Sequence, residues 1–247
     1  MIEDRLVVRT VDGSMSARIW HPDETGPFPV VLCYHAGPGL GENIYSVARR
    51  FAEEGYLAAV PDLYYRHGQE VAFNMAEVMK PDSAERAWFD SIIDATTPER
   101  MVADSVALVQ ALREGSAAAA GPFGCIGFCH TARTVIRAMA EHPDVFAVGS
   151  ILHPSFVVTD SSDSPHLSVK DIKGEIYAGF GGVDVLAPLA EQEPMIAELE
   201  KLGSRATVEI HPAGNHGFLF PGTPVYDENG AAAAWKKTLE IFGRRLR

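Results

Sequence analysis

Cysteine is scarce: the 247 residues hold three, and no two form a CxxC pair. Cys125 and Cys129 flank the end of one apparent strand, a separation beyond the ~7 Å between Cα atoms that a disulfide bridges. Three thiols cannot all pair with one another, so reduced cysteines and a cytoplasmic setting are expected. Positive charge is also short. Lys and Arg total 21 against 33 Asp and Glu, a formal net charge of -12. That balance argues against nucleic acid or an acidic membrane surface as partner, because phosphate binding needs clustered cations. No run approaches the ~20 apolar residues of a membrane span. Met1-Ile2-Glu3-Asp4-Arg5 lacks the basic and apolar pattern of a secretory signal. No two histidines have the helical i, i+4 spacing of a zinc protease motif, so no metal and no other cofactor is expected.

What is present is ordinary globular chemistry, 47% hydrophobic and 22% charged. Domains of mixed helix and strand often run to roughly 200–250 residues, and residues 1–247 read as a single one. Leu6–Thr10 and Met15–Trp20 alternate around Asp12-Gly13, which predicts an antiparallel hairpin at a sheet edge. Phe28–Tyr34 opens a parallel core. A helix follows with Ile44, Val47, Ala48 and Phe51 on one face and Gly55 as its stop. Leu57–Val60 is the next strand. Thr97 caps a helix with Pro98 in its first turn and a stripe of Val102, Val106, Val109 and Leu112. Ala117–Ala120 reads as a loop or helix end, and Pro122–Phe128 as a buried strand. Val145–Leu152, Gly174–Phe180 and Ala206–His211 supply further strands. Ile196, Leu199 and Leu202 mark a helix ended by Gly203, and Trp235, Leu239, Phe242 and Leu246 mark the last one. This alternation predicts an α/β fold with a mainly parallel sheet covered on both faces. Residues 63–97 are the least regular, with a short helix expected to begin or continue over Ala84–Phe89, and are expected to form a lid or substrate wall.

The most informative segment is Gly127-Phe128-Cys129-His130-Thr131. Cys129 falls between a strand and a helical run, on a sharp turn at the carboxyl edge of the sheet. Backbone N–H groups and the helix dipole at such a point favour a thiolate. This is the layout of a nucleophile elbow with sulfur in place of oxygen. Its last position usually carries a small residue, and the β-branched Thr131 crowds it. Asp184 follows in a glycine-bearing loop after one strand, and His216 in a glycine-rich loop after another. Loops after parallel strands open on one edge, so Cys129, Asp184 and His216 can converge in the order nucleophile, acid, histidine.

Val30–His35, Gly55–Tyr64 with its Pro61-Asp62-Leu63-Tyr64, the Cys129 elbow, the Asp184 loop and Asn215-His216-Gly217-Phe218 together resemble the dienelactone hydrolase family, over nearly the whole chain. The resemblance implies an α/β-hydrolase fold and a triad of Cys129, His216 and Asp184. Two positions depart from the family. Where its enzymes carry a glutamate that activates the nucleophile, this chain has Ala36. Where they bind a substrate carboxylate through an arginine four residues beyond the histidine, it has Phe220. Thiol hydrolase chemistry is therefore expected, and dienelactone as substrate is not. The thiolate must be generated by His216, by the helix terminus or by the incoming substrate.

Acyl transfer also needs donors for the developing oxyanion. The backbone N–H of His130 and that of Gly37, in the loop His35–Gly39, are the candidates. His35, Tyr64, His153 and Phe218 are expected to contact substrate. The expected reaction is hydrolysis of an ester or lactone through an acyl-enzyme, with a small-molecule substrate and a monomer or homodimer as the working form. Activity is expected to fall as His216 protonates. The same triad could act on thioesters or phosphotriesters, and a different class of reading makes the chain a non-catalytic, redox-responsive thiol protein. Asp184 and His216 weigh against the last, since a thiol sensor needs neither.

Overall fold

The computed structural model describes residues 1–115 and 117–247, which divide into two compact units, Met1–Ala120 and Gly121–Arg247. In the first unit, strands β1 (Ile2–Thr10) and β2 (Gly13–His21) form the expected hairpin in full register. Its two-residue turn is followed by Gly13 at φ 140°, a conformation that favours glycine. Strand β3 (Phe28–Cys33) runs parallel to β4 (Leu57–Pro61), and β2 pairs antiparallel with β4, giving the order β1-β2-β4-β3. Every residue of β4 is buried, as befits a strand covered on both faces.

Between β3 and β4, helix α1 (Glu42–Glu53) buries Ile44, Ala48, Phe51 and Ala52, and the chain leaves it through Gly55 at φ 85°. Residues 63–97 are more ordered than their composition suggests. They form a short helix α2 (Met75–Val78) and a three-turn helix α3 (Ala84–Ala95), capped by the Ser83 hydroxyl accepting from the Arg86 N–H at 3.0 Å. Tyr64, Val71, Phe73, Val78, Ile92 and Ile93 make a small core of their own beneath them. Helix α4 (Pro98–Arg113) starts at Thr97 as expected and buries Val102, Val109 and Leu112 of the expected stripe, but its buried face is wider than the apolar pattern. Val106 is only half-buried, while Met101, Asp104, Ser105 and Leu108 face inward. Asp104 turns inward because Arg66 meets it through two nitrogens, at 2.7 and 2.9 Å.

The second unit is wholly parallel, in the order β5-β6-β7-β8: β5 (Ala118–Phe128, begun in the first unit), β6 (Phe146–Leu152), β7 (Glu175–Gly181) and β8 (Ala206–His211). Ala118–Ala120 therefore belong to a strand and not to a loop or helix end; β pairing overrides alanine's weak preference. Helices α5 (Ala132–Glu141), α6 (Leu189–Glu200) and α7 (Glu228–Leu246) complete the unit. They lie on both faces. Gly149 meets Met139 and Val135 of α5, while its neighbour Ser150 pairs with Thr238 of α7 at 3.0 Å, and successive strand residues point oppositely. That buried hydroxyl pair places Thr238 and Ile241 on the inner face of α7, while Leu239 and Leu246 are half-buried. Among the described residues no helix is long and apolar enough to cross a membrane.

Candidate active site

Strand β5 ends in extended backbone at Phe128, and Cys129 then turns to φ 55°. A left-handed cysteine costs about 1–3 kcal/mol and persists only where its surroundings enforce it. Here they do. The Thr131 hydroxyl donates to the Phe128 carbonyl at 2.9 Å and accepts from the Phe128 N–H at 3.0 Å, so one side chain closes the turn on both sides. Threonine is thus the fastener of the elbow and not a crowded substitute. Gly127 is needed for the same closure, since a Cβ there would lie 2.7 Å from the Thr131 carbonyl oxygen. A turn of 3-10 helix, Cys129–Thr131, leads into α5.

Asp184 lies in the loop after β7, with both carboxylate oxygens engaged. Oδ1 accepts from the N–H groups of Leu186 at 2.9 Å and Ala187 at 2.8 Å. Oδ2 stands 2.8 Å from Nδ1 of His216. The loops after β7 and β8 are tied by the Gly182 N–H to the His211 carbonyl and the Val183 N–H to the Gly214 carbonyl. The Asn215 side chain adds a clamp, accepting from the N–H groups of His216 at 2.7 Å and Val185 at 3.2 Å. These contacts fix the imidazole by one nitrogen and leave the other for the sulfur.

Cys129 and His216 are electrostatically coupled, and both titrations are displaced. Burial pushes the thiol up, but hydrogen bonds from His130 and His216 and their charge hold it well below the ordinary range. Burial opposes the charged form of His216, but hydrogen bonds to Asp184 and Cys129 and the charge of both raise it to about 10. Both directions favour the charged forms, thiolate and imidazolium. His130, fully buried, is held low by desolvation in spite of its bond to the sulfur.

The loop after β6, His153-Pro154-Ser155-Phe156, forms another side of the site. His153 (φ 39°) and Phe156 (φ 55°) are both left-handed. The Ser155 N–H donates to the Cys129 carbonyl at 3.1 Å, and its Oγ lies 3.3 Å from the Cys129 sulfur. The His153 ring is edge-on to His216, with centroids 4.8 Å apart, and lies against Phe128, Phe218 and Phe220. Neither of its ring nitrogens has a hydrogen-bond partner among the described residues. Burial and the positive charge of His216 hold it well below the ordinary histidine range. Phe218 is fully enclosed, stacking on His211 at 4.9 Å, and Phe220 packs on Phe128 at 5.3 Å.

The remaining expected contacts lie in the first unit. His35 is fully buried; its Nδ1–H donates to the Ala36 carbonyl at 2.9 Å and its Nε2 accepts from the Leu63 N–H at 3.2 Å. Tyr64 crosses the His35 ring at 4.5 Å and donates its hydroxyl to the Gly37 carbonyl at 3.1 Å. Sequence reasoning named Cys129, Asp184, His216, His130 and His153, which come together here. It missed Ser155, Asn215 and the hydroxyl of Thr131. Asn215 was readable as an Asx residue beside the histidine; Ser155 carried no signal.

The fold and site define an α/β-hydrolase. Its likeness to solved structures is close in shape and distant in sequence. A protein titled “Putative Dienelactone Hydrolase” from Klebsiella pneumoniae subsp. pneumoniae superimposes with a TM-score of 0.86 at 23% identity over 98% of both chains. The dienelactone hydrolase-like promiscuous phosphotriesterase P91, from metagenomic libraries, gives 0.78 at 18% identity over the whole of both. The “Putative carboxymethylenebutenolidase” of Synechocystis sp. is 26% identical over 228 residues, covering 92% of this chain and 90% of its own. The model of the dienelactone hydrolase family matches residues 15–246, and the chain belongs to that family. It is a hydrolase of the ester or lactone type.

Proposed function

We propose that the chain hydrolyses uncharged carboxylic esters or lactones through a thioester formed on Cys129, with His216 as acid and base and Asp184 as its orienting carboxylate. The observation that carries this reading is the 2.8 Å contact of Asp184 Oδ2 with His216 Nδ1, on an imidazole electrostatically coupled to the elbow sulfur. In the first half-reaction the thiolate attacks the carbonyl carbon, and the developing oxyanion takes the backbone N–H of His130. The imidazolium then gives its proton to the departing alkoxide, leaving a thioester and a neutral imidazole. In the second, His216 removes a proton from water as it attacks the thioester. The tetrahedral adduct expels the thiolate, the acid is released, and the proton stays on His216.

The walls of the site suit an uncharged substrate. Phe220 presents a ring packed on Phe128 and His153, and so offers no cation for a carboxylate. Phe156, Val185 and Leu186 are exposed apolar side chains on the two loops that carry Ser155 and Asp184. An apolar, neutral acyl or alcohol group suits that rim. Phe218 supports the histidine loop from beneath. The redox-responsive alternative gives no reason for a carboxylate held by two backbone N–H groups behind the imidazole. A chromogenic short-chain ester assayed with the unsubstituted protein and Cys129→Ala tests the proposal. Loss of at least about a thousandfold in kcat/KM is expected for removal of a nucleophile. Equal rates would dismiss it, and mass spectrometry of the trapped acyl adduct should locate the label on Cys129.

A further inference from the structure

The sulfur of Cys129 meets one neutral hydroxyl as well as imidazoles, and that hydroxyl is held with unusual care. Ser155 is 7% exposed, its N–H is fastened to the carbonyl of Cys129 itself, and its Oγ reaches the sulfur at 3.3 Å. Left-handed residues bracket it at His153 and Phe156, each disfavoured in a side-chain-bearing residue. The His153 N–H is anchored to the Gly179 carbonyl at 2.8 Å, so the strained loop is pinned to β7 on one side and to the elbow on the other. A serine that only filled space would need neither strain nor two ties to the nucleophile.

We propose that Ser155 is a catalytic residue of this site, its hydroxyl donating to the Cys129 thiolate in the resting enzyme and tempering the nucleophile's basicity. The inference deepens the reading of Cys129 as nucleophile and rests on it. Three groups then share the sulfur: His216, with Asp184 behind it, from the loops after β8 and β7; His130 from the elbow; and Ser155 from the loop after β6. The Ser155 hydroxyl is the one member of the set that does not titrate near neutral pH. A hydroxyl hydrogen bond to an anion stabilises it without supplying a titrating proton, so it shifts the thiol's ionisation without adding a step to the pH profile.

The pH dependence of thiol–disulfide exchange at Cys129 tests this on the intact chain, with a small pyridyl disulfide as probe and peptide mass spectrometry to place the adduct. The exchange reads the thiolate whether or not any ester is turned over, so its outcome is separate from that of the esterase assay. In Ser155→Ala the midpoint is expected to rise by about one pH unit, the size expected for one hydrogen bond to an anion. A more basic thiolate is also intrinsically faster, by about threefold per unit. Exchange should therefore slow about threefold on the acid side and quicken about threefold once both proteins are ionised. A loosened cavity changes reactivity in one direction throughout and produces no crossing. Ser155→Thr, which keeps the hydroxyl, should restore the original midpoint. An unmoved midpoint in Ser155→Ala, or an equal shift in Ser155→Thr, overturns the proposal. If Ser155→Ala does not fold, Ser155→Thr and Ser155→Val, alike in volume and one hydroxyl apart, carry the same comparison, and equal midpoints overturn it.

Discussion

Cys125 lies near the end of β5 and Cys129 just past it, and their thiols are driven in opposite directions. Cys125 is wholly enclosed, its sulfur 3.9 Å from the Val148 carbonyl, and burial alone pushes its ionisation far up. Cys129 is half-buried, and the hydrogen bonds of two imidazoles reverse the same burial. Desolvation acts on both; only the second has partners that favour the anion.

Selective alkylation follows from this contrast. One equivalent of iodoacetamide at neutral pH should label Cys129 in the folded chain and leave Cys33 and Cys125, both fully buried, unmodified. Peptide mass spectrometry before and after denaturation reads the difference. Comparable labelling of Cys125 in the native protein would contradict the assignment of the two environments.

The pH profile of turnover should differ from what a free catalytic histidine gives. From the residues alone, activity is expected to fall as His216 protonates. The structure changes that expectation for the first half-reaction, because Asp184 and Cys129 raise His216 to about 10 against the pull of burial and so favour imidazolium at neutral pH. The acid limb of kcat/KM should then follow protonation of the thiolate, and the profile should fall above about 10 as the general acid is lost. Once the sulfur is acylated its charge is gone, and with it part of what holds the proton on His216. Where deacylation limits kcat, its acid limb should therefore lie at higher pH than that of kcat/KM. Coincident limbs for the two parameters would count against the ion pair.

Thr131 gives a stability prediction. Thr131→Val keeps the shape but strips the donor and acceptor from a buried N–H and C=O of Phe128, at a cost of about 1–3 kcal/mol. Thr131→Ser keeps the hydroxyl and should cost less than half as much. Urea denaturation measures both. Because the turn holds Cys129 at its positive φ, Thr131→Val should also lose reactivity at the sulfur in the folded fraction.

The parts of this site visible in the sequence were those set by order and local pattern. Cys129, Asp184 and His216 each follow a strand of recognisable alternation, and parallel topology alone brings such loops to one edge. The strands themselves were found within a few residues, because buried runs such as Leu57–Val60 and Phe146–Leu152 are bounded by turn formers. What escaped was set by tertiary partners. Asp104 was invisible as an inward residue until Arg66 arrived from a loop 38 positions away. Ser155 looked like loop filler because nothing local says that its N–H will meet Cys129. Thr131 looked like a misfit because its hydroxyl pairs with backbone groups that only the turn brings together. Helix α3 starts at Ala84, where the sequence places a short helix, but its full length escaped because its apolar face is short, Ile92 and Ile93 alone being buried.

His153 supplies a last test, in which the sign can be fixed in advance. Its ring is buried and neutral, its ionisation held well below the ordinary value by desolvation and by the charge of His216. In the unfolded chain the same imidazole titrates near its ordinary value of 6.5. Below that pH the unfolded state binds a proton that the folded state refuses, so stability is lost as pH falls, by up to about 1.4 kcal/mol per unit for this one group. Phenylalanine can take the ring's place among Phe128, Phe218 and Phe220 with no hydrogen bond forfeited, because neither nitrogen makes one. His153→Phe should therefore fold, and its unfolding free energy between about pH 6.5 and 5 should decline less steeply by close to one proton. Chemical denaturation across that window measures the slope. An unchanged slope would mean that the folded protein accommodates the charged ring, and hence that His153 has a partner when protonated.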